Sequence, residues 1–139
     1  MQPTAILFPV LVQVALTLGV LLALGPARAR SLRAKGLTLD DRDVALGRAP
    51  WSEQATKVAN NYQNQFELPV LFYAVVAFAL QTGAVDTPMV VLAWIFAVSR
   101  LAHTAVHIGP NRIMWRGAAF LAGMLALAVM WVRIALHIL

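Results

Sequence analysis

Lys57, Asn60, Asn64 and Glu67 follow one another at intervals of three, four and three residues, so a single helix face carries all four. Arg100, His103 and His107 repeat the pattern at three and four, and Arg116 follows after a short Gly109-Pro110-Asn111 turn. Amides and imidazoles offer hydrogen bonds, while Glu67, Lys57 and the arginines offer charge. Turned toward each other, the two faces make a cavity rimmed by Lys57, Asn60, Asn64, His107 and Arg116 and closed below by Glu67 and Arg100. Such a cavity suits a small anionic, water-soluble ligand that meets a lipid-soluble one. With no cysteine in the chain, any thiol chemistry requires a thiol brought by a substrate.

Each of these residues also has a plainer reading. Arg100 lies about twelve residues into an apolar segment, near mid-membrane by helix rise. Facing lipid there would cost at least ~2.5–3.5 kcal/mol, so an ion pair with Glu67 is expected. That pair could serve a site or simply lock two helices in register. His103 and His107 at i and i+4 have metal-ligand spacing, but Glu67 is the one obvious third ligand and no metal is expected. Arg116 stands at a membrane boundary, where an arginine that merely snorkels is common.

The elements that position these residues are written in the composition. The chain has 139 residues, 60% of them hydrophobic and 12% charged, with mean hydropathy +0.73. This is the balance of an integral membrane protein, here a single all-α domain over 1–139. Four transmembrane helices are expected at about 4–25, 52–82, 88–108 and 114–138, making a four-helix bundle. The first is read as a retained span, because no cation precedes its apolar run as in a signal peptide. Gly25-Pro26 is expected to end it, leaving 26–51 as a polar loop. Ser52 is a candidate N-cap for the second helix, Pro69 a candidate kink within it, and Pro88 fits the first turn of the third. On the fourth, Ala118, Ala122 and Ala126, with Ala119 and Gly123 beside them, form a small-residue row for close helix packing.

Charge gives orientation. Nine of the eleven Lys and Arg residues lie in or beside the first and third loops, which places those loops in the cytoplasm and both termini outside. The net charge of +5 therefore reports topology, and a nucleic-acid partner is not expected from cations that flank apolar spans.

Two blocks of residues carry a family resemblance. Asn64-x-x-Glu67 with Pro69 shortly after, and Arg100-x-x-His103-Thr104-x-x-His107 followed by Arg116, resemble the MAPEG family, the membrane-associated proteins in eicosanoid and glutathione metabolism. The resemblance extends over nearly the whole chain and implies a bacterial-type member, a homotrimer in the bacterial inner membrane. It implies glutathione as cosubstrate, bound near the cytoplasmic face between subunits, and a small lipophilic second substrate. Arg116 would stabilise the glutathione thiolate as the catalytic residue. Asn64, Glu67, His103 and His107 would hold the peptide, with Lys57 and Asn60 beside them. The implied activity is that of a glutathione-dependent transferase or peroxidase. The sequence departs from the family pattern at Asn60, where catalytic members carry arginine, and at His107 and Phe120, which replace tyrosines; Pro69 also follows Glu67 by two residues rather than three. These departures keep open a non-catalytic ligand-binding or scaffold protein of the same fold. A small four-helix transporter is a more distant alternative, since its first helix would be expected to carry a carboxylate.

Overall fold

The computed structural model describes residues 2–139, and four of its helical segments are long and apolar enough to cross a membrane. After a short turn at Pro3–Ile6, α1 runs over Leu7–Lys35. A four-residue α2 at Arg42–Ala45 interrupts the first loop. The second span is built from α3, Glu53–Asn64, and α4, Leu68–Thr82; the third is α5, Thr87–Ile108, and the fourth α6, Ile113–Ile138. The chain is an integral membrane four-helix bundle in which α5 is the most buried span and packs on α1, α3 and α6.

Local chemistry fixes most boundaries. Ser52 accepts a hydrogen bond from the Ala55 amide at 3.2 Å and so caps α3, as its type suggests. Its own amide donates to Ser31 Oγ at 2.7 Å, which ties the end of the first loop back to α1. Asp86 caps α5 through the Met89 amide at 2.9 Å, and Pro88 sits in the first turn, where its missing N–H is harmless. Asp86 also pairs with Arg133, joining the α4–α5 turn to the far end of α6.

Two expectations need correction. The first helix does not stop at Gly25-Pro26 but continues ten residues beyond Gly25, with Pro26 inside it. The local loss of one backbone hydrogen bond is outweighed by packing further on, where Leu24 and Ala27 cluster with Ala55 and Val58 of α3. The helix ends instead at Gly36, whose φ of 65° suits a residue without Cβ. The second helix is broken rather than kinked. Pro69 supplies no N–H and its ring crowds the carbonyl of residue 65, so α3 ends at Asn64 and Glu67 leaves helical geometry at φ −95°, ψ −102°.

The interior is layered. An apolar cluster including Phe72, Val75, Met89, Phe96 and Met130 fills one half, with the Phe72 and Phe96 rings stacked at 4.3 Å. The α1–α3 cluster fills the other half. Between them lies a buried polar layer of Gln13, Asn61, Gln65, Arg100, His103, Thr104 and His107. Of the small-residue row, Ala126 and the neighbouring Gly123 join Leu127 and Met130 on the buried face of α6, whereas Ala118 and Ala122 face outward. A Cβ at Gly123 would collide with Ser99 Oγ. Gly123→Ala is accordingly expected to destabilise the bundle by about 1–3 kcal/mol through overpacking, read as a lowered midpoint in detergent unfolding. An unchanged midpoint would mean that Ser99 yields without strain.

Candidate functional site

The break after Asn64 shapes the site. The last carbonyls of α3 have no intrahelical donor. Arg100, fully buried at 0% exposure, reaches across from α5 and donates from Nη2 to the Asn64 carbonyl at 3.0 Å. Its Nε and Nη1 have no partner among the described residues. The expected ion pair with Glu67 is therefore not made within the chain. Once the helix is broken, Glu67 leaves the register of α3 and stands exposed on the wall of a cleft, while Arg100 serves the freed end of α3.

That cleft, of about 540 Å³, opens between α3, the end of α5 and the start of α6. Asn60, Asn64, Glu67, His103, His107 and Arg116 all line it, together with Gln63, Ile113, Gly117 and Phe120. Six of the residues singled out in the sequence thus meet at one place. Lys57 does not: it pairs with Glu53 one turn earlier, Nζ to Oε1 at 2.6 Å, the favourable order on a helix, and is not part of the lining. Arg100 lies behind the wall.

Arg116 is held on both its side chain and its backbone. Its Nη1 donates to Asn111 Oδ1 at 2.8 Å, and its carbonyl is 3.2 Å from His103 Nδ1. Asn111 makes the turn before α6 in left-handed geometry, φ 49°, a conformation that asparagine tolerates better than most residues. The His103 and His107 rings meet edge to face at 5.5 Å. One wall of the cleft therefore offers a guanidinium and two imidazoles. The opposite wall offers amides and a carboxylate, and Ile113 and Phe120 add apolar surface.

Behind His107 runs a chain of side-chain hydrogen bonds that sequence reading did not single out. Gln13 Nε2 donates to Gln65 Oε1 at 2.9 Å, and Gln65 Nε2 donates to the carbonyl and Oδ1 of Asn61, both at 3.1 Å. Thr104 Oγ1 donates to Asn61 Oδ1 at 3.2 Å, and Asn61 Nδ2 lies 3.4 Å from His107 Nδ1. The signal was present in Asn61 and Gln65, an i, i+4 pair one position on from Asn60 and Asn64. Nothing local says that their face meets Gln13.

The arrangement can bind a small polar ligand whose anionic atom meets Arg116 and whose donors and acceptors are met by amides and imidazoles, beside an apolar surface. No curated protein and no solved structure matches the chain. A sequence model of the MAPEG family, however, matches residues 6–136, a range that takes in the second and third spans whole, nearly all of the first and fourth, and every residue lining the cleft. The chain belongs to the MAPEG family.

Proposed function

We propose that the cleft binds reduced glutathione and that the chain is a membrane-embedded, glutathione-dependent transferase or peroxidase for lipophilic electrophiles. The observation that carries this reading is the meeting of Asn64, Glu67, His103, His107 and Arg116 in one cleft at the end of the bundle formed by the first and third loops. Arg116 faces the thiol and lowers the energy of its anion, the proton passing to water through the open mouth. Thiolate sulfur then attacks an electrophilic carbon that reaches it along the apolar side by Ile113 and Phe120; the S–C bond forms as the leaving group departs. The family resemblance also supports a homotrimer of bacterial inner-membrane type, and the cation distribution supports both termini outside and the first and third loops cytoplasmic.

A second reading, a non-catalytic ligand-binding or scaffold protein of this fold, is favoured by one feature. With Asn60 in the lining and Lys57 engaged by Glu53, Arg116 is the one Lys or Arg side chain lining the cleft among the described residues. Calorimetric titration of reduced glutathione into the detergent-solubilised protein separates the two. Saturable binding is expected, weakened in Asn64→Ala by about tenfold for the loss of one to two hydrogen bonds. A folded protein that gives no heat with glutathione, and no turnover with electrophiles or peroxides, would leave the non-catalytic reading in its place.

A further inference from the structure

We infer that the chain holds His103 and His107 in opposite tautomers: His103 keeps a bare acceptor at Nε2, buried in the cleft wall, and His107 carries its ring N–H at Nε2 as a fixed donor.

The assignment starts from two backbone carbonyls, which accept hydrogen bonds and never donate them. The first is Asn61 O, 3.1 Å from the Gln65 amide. The atom of Gln65 facing it must be the nitrogen, so the Gln65 amide cannot be flipped. That nitrogen is also 3.1 Å from the Asn61 side chain, whose nearer atom must then be the oxygen. Thr104 Oγ1, at 3.2 Å from the same oxygen, is consistent with it as a donor. The Asn61 nitrogen is left facing His107 Nδ1 at 3.4 Å. Nδ1 must accept, and the ring proton of His107 sits on Nε2. The same logic runs outward to α1: Gln65 Oε1 can only accept, so Gln13 presents its nitrogen and its Oε1 is left buried without a partner among the described residues. The unpaired oxygen is what a chain polarised in this one direction leaves at its far end.

The second carbonyl is Arg116 O, 3.2 Å from His103 Nδ1. Here Nδ1 must donate, which leaves Nε2 of His103 a bare lone pair, and that atom is buried with no partner among the described residues. Both rings line the cleft. Two histidines one turn apart, alike in sequence, thus present opposite hydrogen-bonding character. A ligand that seats here brings an acceptor to His107, whereas the lone pair of His103 stays buried in the cleft wall. Gln65, Asn61 and Thr104 are positioning residues for the His107 contact. This rests on the glutathione reading only for the identity of the ligand, since the tautomers are set by the protein itself.

Long-range proton–nitrogen correlation spectra of ¹⁵N-histidine-labelled protein in micelles, at a pH where the rings are unprotonated, test the inference directly. His103→Gln and His107→Gln identify the resonances. The expected wild-type spectrum has its proton-free nitrogen at Nε2 in His103 and at Nδ1 in His107. In Asn61→Asp the carboxylate can only accept, so the bare nitrogen of His107 is expected to move to Nε2 while His103 is unaltered. Equal tautomers in the wild type would overturn the inference, as would an Asn61→Asp spectrum in which His107 does not change. If Asn61→Asp fails to fold, the wild-type spectrum decides alone. Added glutathione is expected to shift the His107 Nε2 resonance more than that of the buried His103 Nε2, with both tautomers retained. Opposite tautomers that ignore glutathione would support the inference and count against glutathione as the ligand.

Discussion

Arg116→Ala is expected to lower glutathione turnover by about 10²–10³-fold, the usual effect of removing one preorganised donor from a developing anion. The effect should fall mainly on kcat, because the amides, Glu67 and both histidines still line the cleft and, on the proposed reading, would still hold the peptide. Preorganisation is visible in how Arg116 is held: its Nη1 is braced by Asn111, itself fixed by its amide donating to the Val106 carbonyl at 2.7 Å. Arg116→Lys keeps the charge but gives up the planar fork, and with it the simultaneous reach to Asn111 and to a ligand. Its rate should fall between those of wild type and Arg116→Ala. Asn111→Ala removes the brace and adds strain at a left-handed φ of 49°, yet keeps the guanidinium, and should lower kcat less than either substitution at Arg116. The measurement is steady-state turnover of a chlorinated nitroaromatic electrophile at saturating glutathione, with the size of the solubilised particle checked for each variant. An Arg116→Ala protein within a few-fold of wild type would show that the thiolate is stabilised elsewhere.

What could be read from sequence was what local chemistry decides. Twenty uncharged residues from Ala5 to Leu24 announce a span, and Ser52 and Pro88 mark helix starts because caps and first turns depend on neighbouring atoms. Asn60 with Asn64, and His103 with His107, were legible because helical spacing puts each pair on a common face; Arg116 was placed by the short loop before it, and Glu67 reaches the cleft although its helix breaks. Where two local signals competed with packing, local reading failed. Pro26 looks like a stop, yet the turns beyond it bury Ala27, Ser31 and Leu32 and the helix survives. Pro69 looks like a kink, yet with the carbonyl at residue 65 crowded and Arg100 available for the Asn64 carbonyl, a full break is the stable outcome. The Glu67–Arg100 pair failed for the same reason: its geometry assumed an unbroken helix. Of the small residues singled out on α6, Gly123 and Ala126 are buried while Ala118 and Ala122 face outward, and Gly123 lies too close to Ser99 to carry a side chain. Which way a polar face turns is a property of the helix opposite, and no spacing rule contains it.

Gln65 shows how much hangs on that opposite helix. It is 1% exposed and joins α1, α3 and α5 through Gln13, Asn61 and Thr104, the last at 3.4 Å from Nε2. Gln65→Leu fits a similar volume but strips the Gln13 amide of its one partner and leaves Asn61 Oδ1 with Thr104 alone. Leaving such a group unpaired in the interior costs about 1–3 kcal/mol, so the single variant should be clearly destabilised. Gln13→Leu also removes a polar group that is already half unpaired, and should cost less. The double variant is the informative one. With both amides gone, α1 meets α3 through apolar side chains and no orphan remains on α1. Gln13→Leu/Gln65→Leu is therefore expected to be less destabilised than the sum of the singles, with a coupling of about 0.5–3 kcal/mol. Detergent-denaturant unfolding followed by far-UV circular dichroism measures all four corners of the cycle. Strict additivity would mean that the two amides do not depend on each other in the folded state. The same variants separate stability from the site. The double variant should recover much of its stability, yet still bind glutathione more weakly than wild type, because Asn61 no longer has Gln65 to fix the face it shows to His107.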